Sequence, residues 1–169
     1  MVVNKMKEIE NRRSIRNFKN EKISKDLIVK IIESGLLSPS AKNKQPWYYI
    51  VVNEEIKNKI SLELENVMGK NKTSDVIKEA PVLILVYNTL DDYYSHMSIG
   101  SSIENILLEA ESNDIGSLWI GYVKKIEEYI NNLVDCNYEL ISAIALGVKN
   151  EQPPKRPRKS FDEVCKFIN

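Results

Sequence analysis

Apolar residues recur along this chain with two different spacings, one typical of amphipathic helices and the other of buried strands. Spacings of three and four residues predict helices over residues 4–10, 24–35, 53–67, 93–112 and 126–133. Short runs rich in β-branched and aromatic residues predict strands over residues 48–52, 82–87, 115–121 and 140–148. Because neither an internal repeat nor a linker-like break interrupts this order, we expect an α+β or mixed α/β fold with one domain, residues 1–169.

Polar residues and a proline mark where several of these elements begin. Ser24 and Asn53 can each accept a hydrogen bond from the first turn of the helix that follows. Pro81 precedes the second strand, where a missing N–H is tolerated, and the polar run 69–75 predicts a surface loop. Inward-facing side chains are expected at Met6, Ile9, Ile28, Ile31, Ile32, Leu36, Trp47, Ile56, Ile60, Val67, Ile99, Ile103, Ile106, Leu107, Ala110 and Trp119.

A polar loop, Ser38–Trp47, lies between the second helix and the first strand and contains two prolines, two serines and two amides. Such a loop can expose polar groups from a rigid scaffold, which is what a ligand site requires. It can equally be a connector in which Pro and Ser only interrupt regular structure. The loop alone favours the connector.

Composition narrows the class of protein. The chain is 43% apolar, which suits a single hydrophobic core, and it contains no apolar run long enough to span a membrane. The N-terminal residues show no signal peptide. Cys136 and Cys165 show no disulfide spacing, so we expect packing roles for both and a cytoplasmic location. A net charge of zero argues against a general nucleic-acid binder.

Charge is distributed unevenly despite the zero total. Residues 1–50 contain eleven Lys/Arg against five Asp/Glu, residues 51–150 eight against sixteen, and the last nineteen residues five against three. The two basic ends could form one anion site, or they could be ordinary solvated surface.

Arginines are prominent at both ends. Arg12 and Arg16 would share a face on a helical turn. Arg156 precedes Pro157 and is therefore extended, so Arg156 and Arg158 point to the same side. Guanidinium groups match phosphate oxygens well, although ion pairing with the many glutamates is the alternative.

Side-chain catalysis and nucleotide motifs find little support. His96 is the single histidine, which excludes a His-rich metal site and favours a partly exposed helix residue. The sequence has no Gly-x-Ser-x-Gly elbow and no glycine-rich nucleotide loop. An enzyme with this sequence would therefore depend on a bound organic cofactor.

Several segments together resemble the nitroreductase family. Arg12-Arg13-Ser14-Ile15-Arg16 followed by the Ser38–Trp47 loop is similar to the flavin signature of that family. The resemblance continues, in order, through Ala80-Pro81, Gly116–Gly121, Leu146-Gly147 and Arg156–Lys159. It thus covers nearly the whole chain.

This resemblance implies an α+β fold with a mixed central sheet flanked by helices, and a domain-exchanged homodimer with FMN at its interface. By position, Arg12, Arg13 and Ser14 would bind the phosphate and ribityl chain together with Arg156 and Arg158. Arg16 would approach the flavin pyrimidine, and backbone near Ile120 and Gly121 would donate toward flavin N5. Pro39, Ser40, Ala41 and Asn43 would come from the partner subunit.

The implied activity is an FMN-dependent oxidoreductase. NADH or NADPH would supply hydride, and nitroaromatics, quinones or similar small-molecule oxidants would accept it in a ping-pong cycle. No metal, nucleic acid or membrane is implied. Residues 71–78 align too weakly to assign a further flavin contact, and Tyr93 and Tyr94 could line the cleft or simply pack.

Three alternatives stay open. One is a specialised relative that acts on flavin or on halogenated aromatics, which the shortness of the chain disfavours. Another is a flavin-binding store or sensor without turnover. The third is a nucleic-acid binder that uses Arg12–Arg16 and Lys155–Lys159.

Overall fold

A four-stranded antiparallel sheet organises residues 5–168, which the computed structural model describes. Its strands are β1 (Trp47–Val52), β2 (Val82–Asn88), β3 (Ile115–Ile120) and β4 (Glu139–Val148), arranged in the order β1-β2-β4-β3. The helices found in these residues are α1 (Lys7–Asn11), α2 (Lys25–Leu36), α3 (Glu54–Met68), α4 (Lys72–Glu79), α5 (Ser95–Ser112), α6 (Glu127–Val134) and α7 (Phe161–Val164). Short 3-10 helices cover Ala41–Asn43 and Tyr122–Ile126.

The α+β class is confirmed, but the expectation of a mixed sheet is wrong for the four strands. Strands β2 and β3 run in the same direction because α5 carries the chain back along the sheet between them. However, β4 lies between these two strands and pairs antiparallel with both. The parallel pairing recorded in residues 5–168 is an isolated bridge between Ser14 and Ser117, at the outer edge of β3.

Two hydrophobic cores lie on opposite faces of the sheet. Leu83, Leu85 and Tyr87 of β2 point toward α3, α4 and α6. The alternating residues of β2 point toward α2 and α5 instead. This strand is therefore buried on both faces, which explains its continuously apolar sequence. The apolar stripe expected along α5 is confirmed, since Ile99, Ile103, Ile106, Leu107 and Ala110 are all buried.

The helix caps show where sequence patterns were informative. Ser24 Oγ accepts from Leu27 N at 3.3 Å and Asn53 Oδ1 accepts from Ile56 N at 2.9 Å, so both predicted caps are confirmed. The predicted surface loop over residues 69–75 is wrong in its second half, because α4 begins at Lys72. The cause is a cap at Asn71, whose Oδ1 accepts from two backbone N–H groups, at 3.0 and 3.1 Å.

Several side chains expected inside are exposed. These are Met6, Ile9, Leu36, Val67 and Trp119. Within residues 5–168 these side chains remain largely uncovered, whereas Trp47 is buried as expected. Cys136 is buried as expected, but Cys165 is exposed, so the packing role expected for it is not found within residues 5–168.

Residues 1–4 lie outside the described residues, and with them the predicted start of the first helix and most of the stretch searched for a signal peptide. Among the helices of residues 5–168, none has the length and hydropathy needed to cross a bilayer.

Close packing of α2 against α5 positions the loop that follows α2. Ser102 Oγ of α5 donates to Gly35 O of α2 at 2.7 Å and also hydrogen-bonds the Tyr49 hydroxyl. Burial of that hydroxyl raises the pKa of Tyr49 to about 12, despite its hydrogen bond with Ser102. A Cβ at Gly35 would lie 2.8 Å from Ile106 Cγ1 and from Ser102 Oγ, so the two helices meet at a point that only glycine fits.

Gly35→Ala is expected to destabilise the fold by about 1–3 kcal/mol, because the new methyl group overpacks the α2–α5 contact. Gly100→Ala is the matched control in α5, where a Cβ would meet only Trp119 Cη2, at 3.9 Å. There alanine should be neutral or stabilising, since glycine weakens a helix interior by about 1 kcal/mol. Urea denaturation measures both, and equal effects would contradict the packing assignment.

Candidate functional site

The segment Arg12–Arg16 lies along the outer edge of β3. Ile15 N donates to Ser117 O at 3.0 Å, and the Ile15 side chain is only 1% exposed. The expectation that Arg12 and Arg16 share a helical face is wrong, because α1 ends at Asn11 and the following residues are extended. In an extended segment these two residues still point to the same side, since side chains alternate.

The segments after β4 and before α2 are joined side by side. Lys19 N donates to Val148 O at 2.9 Å, and Asn150 N donates to Asn17 O at 3.1 Å. A side-chain hydrogen bond between Asn150 and Asn17, at 3.0 Å, reinforces this contact. The Pro-rich tail therefore leaves the sheet beside Arg12–Arg16, and the two basic ends of the chain form one surface.

A basic cavity of about 380 Å³ lies between these two ends. Seven of its lining residues are Lys or Arg, and Glu10 is the single acidic residue in the lining. The lining includes five of the expected site arginines, Arg12, Arg13, Arg16, Arg156 and Arg158, together with Ser14. This concentration of positive charge suits a phosphate or another anion.

The arginine side chains mostly bind backbone rather than carboxylates. Arg13 Nη1 donates to Glu10 O and Arg12 O, at 2.9 and 2.7 Å, and Arg16 Nη1 donates to Ser14 O at 3.2 Å. Arg12 Nε lies 3.2 Å from Glu104 Oε1, an ion pair by distance, but it makes no hydrogen bond to it. The buried Nε of Arg13 has no partner within residues 5–168. Donors therefore remain available for a ligand.

A second cavity of about 380 Å³ adjoins the first, and Arg16 lines both. It is bounded by the end of β3, including Ile120 and Gly121, and by Trp119 and Tyr122. No described atom lies within 4 Å of where a Gly121 Cβ would be, so a ligand can approach this backbone closely. Thr73 also lines the cavity and was missed by the sequence analysis. The Asn71 cap, which places it in the first turn of α4, is the signal that could have found it.

The Ser38–Trp47 loop lines neither cavity. Pro39, Ala41 and Asn43 are exposed, and Ser40 is partly buried. The loop leads into β1, one edge of the sheet, whereas Arg12–Arg16 lies beyond β3, the other edge. With strands about 4.8 Å apart, the two edges are separated by roughly 14 Å. The single chain therefore does not bring these residues together.

The loop has a fixed and strained shape. Lys42, Asn43 and Gln45 adopt left-handed φ angles of 54°, 53° and 49°. Ser40 Oγ accepts from Gln45 N at 2.9 Å, which closes the loop on itself. Left-handed backbone is unfavourable for residues with a Cβ and is concentrated at functional sites.

Asp92 fastens the loop to the start of α5. Its carboxylate pairs with Lys44 Nζ at 3.1 Å and accepts from the backbone of Tyr94 and Ser95. The hydrogen bond from Lys44 lowers the pKa of Asp92. Tyr93 and Tyr94 beside it are exposed and contact each other edge-on, with ring centroids 5.4 Å apart, so neither packs in a core.

Glu139, the first residue of β4, joins this strand to β2, α5 and the 3-10 helix that follows β3. Its carboxylate pairs with Lys124 Nζ at 3.0 Å and His96 Nε2 at 3.1 Å, and it accepts from Asn88 Nδ2 at 3.2 Å. Lys124 belongs to the 3-10 helix that begins directly after Gly121. Partial burial raises the pKa of Glu139, but the hydrogen bonds from Lys124, Asn88 and His96 outweigh burial and the net shift is downward.

His96 is about half exposed, as expected for a partly exposed helix residue. Within residues 5–168, no three His, Cys, Asp or Glu side chains are grouped so that they could hold a metal ion. The candidate site therefore consists of the basic cavity, the adjoining cavity at the end of β3, and the arginine that both share.

Known proteins are similar to this chain over most of its length. The sequence model described as "Nitroreductase family" matches residues 9–148. A protein of Methanothermobacter thermautotrophicus, provisionally named NADH dehydrogenase/NAD(P)H nitroreductase, is 33% identical, covering 92% of this chain and 83% of that protein. Iodotyrosine deiodinase of Thermotoga neapolitana is 27% identical, covering 87% of this chain and 89% of that enzyme.

Solved structures show the same fold. The crystal structure of a provisionally named nitroreductase from Desulfovibrio desulfuricans, in complex with FMN, superposes with a TM-score of 0.85. The superposition covers 96% of this chain and 95% of that one, at 22% identity. The expected nitroreductase-like α+β fold is thereby confirmed.

Glu139→Gln is expected to lower stability at pH 7 by less than about 1 kcal/mol, since its ion pairs are partly exposed. A lowered folded-state pKa means that the charge stabilises the fold above the ordinary value of 4.5. This contribution is lost as the pH falls through the lower folded pKa. The difference in unfolding free energy between wild type and variant should therefore shrink below pH 4.5, and a difference that does not change with pH would contradict this assignment.

Proposed function

This chain belongs to the nitroreductase family, whose sequence model matches residues 9–148, and on that premise we propose that it is an FMN-dependent oxidoreductase. NADH or NADPH donates hydride, and a small oxidant such as a nitroaromatic or quinone accepts it. The observation that carries the proposal is the pair of adjoining cavities, one strongly basic and one lined by backbone and apolar groups, with Arg16 between them.

The basic cavity fits the phosphate of FMN. A phosphate monoester carries up to two negative charges, and guanidinium groups bind its oxygens in pairs. Arg12, Arg13, Arg156 and Arg158 line this cavity, and the buried Nε of Arg13 has no partner within residues 5–168. An anion there would satisfy this donor and offset the mutual repulsion of the arginines. Ser14, in the same lining, can hydrogen-bond the sugar-alcohol chain.

The adjoining cavity fits a flat ring system. Bound FMN supplies the hydride-accepting chemistry. The backbone of Ile120 and Gly121 provides donors that cannot themselves react, and the open space at Gly121 lets a ring approach. Arg16 contributes the positive charge that stabilises a developing anion on the pyrimidine side.

The protein contributes binding and orientation rather than acid–base catalysis. Arg16, Thr73 and Tyr122 are the polar side chains that line the second cavity. Guanidinium, aliphatic hydroxyl and phenol groups do not ordinarily exchange a proton near neutral pH. Protons for the reduced product would come from water, and the two substrates would use one open face in turn, which gives ping-pong kinetics.

A homodimer completes the site in this proposal. Pro39, Ser40, Ala41 and Asn43 lie at the sheet edge opposite the arginines, so they cannot reach the FMN of their own subunit. Their exposure and the strained, fastened loop suit presentation to a partner subunit. FMN binding then depends on dimerisation.

Reductive dehalogenation of aromatics is the second candidate, because an iodotyrosine deiodinase is 27% identical over most of the chain. The fold and the cofactor would be the same in both cases. Anaerobic assays with diiodotyrosine and with a nitroaromatic, each in the presence of dithionite or NADH, would separate the two candidates.

Purified protein reconstituted with FMN is expected to show a flavin spectrum that NADH or NADPH bleaches under anaerobic conditions, and menadione should restore it. Restoration without net loss of flavin demonstrates turnover. A bound flavin that neither nucleotide bleaches would instead favour a store or sensor. A protein that takes up no FMN at all would overturn the proposal.

Combining Arg12→Ala with Arg156→Ala should weaken FMN binding at least about 100-fold, because each charged hydrogen bond contributes roughly 1.5–3 kcal/mol. Lys125→Ala, at an exposed position of the 3-10 helix and outside the basic cavity, is the matched control for loss of positive charge. Fluorescence titration measures FMN affinity, and thermal melting confirms that the fold persists. Unchanged affinity would show that the phosphate lies elsewhere.

Mixed dimers test which subunit supplies the loop. Subunits with Arg12→Ala and Arg156→Ala would be combined with subunits that carry Ser40→Ala and Asn43→Ala. If the loop acts on the partner's flavin, each mixed dimer contains one intact site and binds one FMN, while both parent homodimers bind none. If the loop acts within its own subunit, the mixed dimer contains no intact site and should bind none either.

A further inference from the structure

We propose that Glu151 is a positioning residue of the flavin site, whose carboxylate holds the backbone of Arg16 and Asn17 and so fixes Arg16 between the cavities. This inference rests on the proposed function. Glu151 lies directly after the β4 segment and before the tail that carries Arg156 and Arg158.

The contact is made by one carboxylate oxygen. Glu151 Oε1 accepts from Arg16 N at 2.5 Å and from Asn17 N at 3.2 Å. Two adjacent backbone donors thus converge on a single negatively charged acceptor that is more than 130 residues distant along the chain. Hydrogen bonds to an ionised acceptor are shorter and about twice as strong as neutral ones.

Hydrogen bonds to the sheet hold the chain before Arg16 and after Asn17, but not at these two residues. Ile15 N donates to β3 through Ser117 O, and Lys19 N donates to β4 through Val148 O. Between these anchors, Arg16 and Asn17 are both exposed, and their N–H groups bond to Glu151 instead of a strand. The carboxylate therefore takes the place of the strand-to-strand hydrogen bonds that residues 16 and 17 do not make.

Arg16 depends on this backbone support because few contacts hold its side chain in place. Its guanidinium donates to Ser14 O at 3.2 Å, a contact within the same short segment. Yet Arg16 lines both cavities of the candidate site and a third cavity of about 310 Å³, which Glu151 also lines. A small movement of residues 16 and 17 would displace the one charged group that both parts of the site share.

Removing this carboxylate should leave the fold intact. The contacts of Asn150 with Asn17 and of Lys19 with Val148 do not involve Glu151 and still join the two segments. Glu151 is part-exposed and belongs to neither hydrophobic core. Its effect is therefore local to Arg16, which separates positioning from general stability.

Glu151→Ala and Glu151→Gln test the proposal together, with Glu128→Ala on the exposed face of α6 as the control for loss of a carboxylate. The glutamine keeps an acceptor oxygen, whereas alanine removes it. In flavin-free protein, hydrogen exchange at the Arg16 and Asn17 amides should quicken about tenfold in the alanine variant, the size expected for losing one hydrogen bond. FMN affinity should fall by about the same factor. The glutamine variant should restore both to within about threefold.

Any one of three outcomes would overturn the assignment. One is unchanged amide exchange in Glu151→Ala, which would show that the carboxylate does not hold these residues. Another is a glutamine variant as impaired as alanine, and the third is an alanine variant that binds FMN normally. If wild-type protein binds no FMN while the exchange result holds, the proposed function has failed and the backbone contact has not.

Discussion

A pair of glycines facing each other across two strands makes the candidate site possible. Gly116 of β3 pairs in register with Gly147 of β4. A Cβ at Gly116 would lie 3.0 Å from Ile15, and one at Gly147 would lie 2.6 Å from Phe18. The absent side chains thus leave a slot in the sheet surface, which the two buried residues of the N-terminal segment fill. Their burial fixes the segment that carries the arginines.

Rigid anchoring of this kind matters because a ligand site needs its groups held before the ligand arrives. Ile15 and Phe18 belong to the core between the sheet and α3, α4 and α6. The residues that alternate with Ile15 in the extended segment, Ser14 and Arg16, are exposed. The same packing that stabilises the fold therefore aims the polar groups outward, and the tail after β4 joins them through Asn17.

Sequence patterns predicted the elements whose period was long and uninterrupted. The apolar stripe of α5 and the continuously apolar β2 are examples. Burial of one face gives apolar residues at helical spacing, and burial of both faces of a strand gives an unbroken apolar run. Helix α4 was missed since its eight residues bury only Ser74, Val76 and Ile77, too few to show a period. The mixed sheet was implied by the family resemblance, and the order of elements along the sequence could not correct it, because it does not reveal that β4 inserts between β2 and β3.

For the candidate site, the sequence indicated which segments would come together but not the backbone conformation that they adopt. The charge distribution and the family resemblance both pointed to Arg12–Arg16 and Arg156–Arg158, which line one cavity. The helical face assumed for Arg12 and Arg16 was wrong because hydrogen bonding to β3 extends the chain there. Thr73 reaches its cavity through the placement of α4, and Glu151 through the pairing of the segments after β4 and before α2. The Asn71 cap marks where α4 begins, but no local pattern encodes where these segments lie relative to the sheet.

The strain in the Ser38–Trp47 loop argues against a simple connector. Three residues with a Cβ hold left-handed φ angles, each of which costs of order 1–3 kcal/mol where the region is sparsely populated. A connector could relieve this with glycine, yet the loop contains none. Instead the Ser40–Gln45 hydrogen bond and the Lys44–Asp92 ion pair hold the unfavourable shape in place. Such a shape is retained where its geometry is used, and the exposed groups it presents find no ligand cavity on their own subunit.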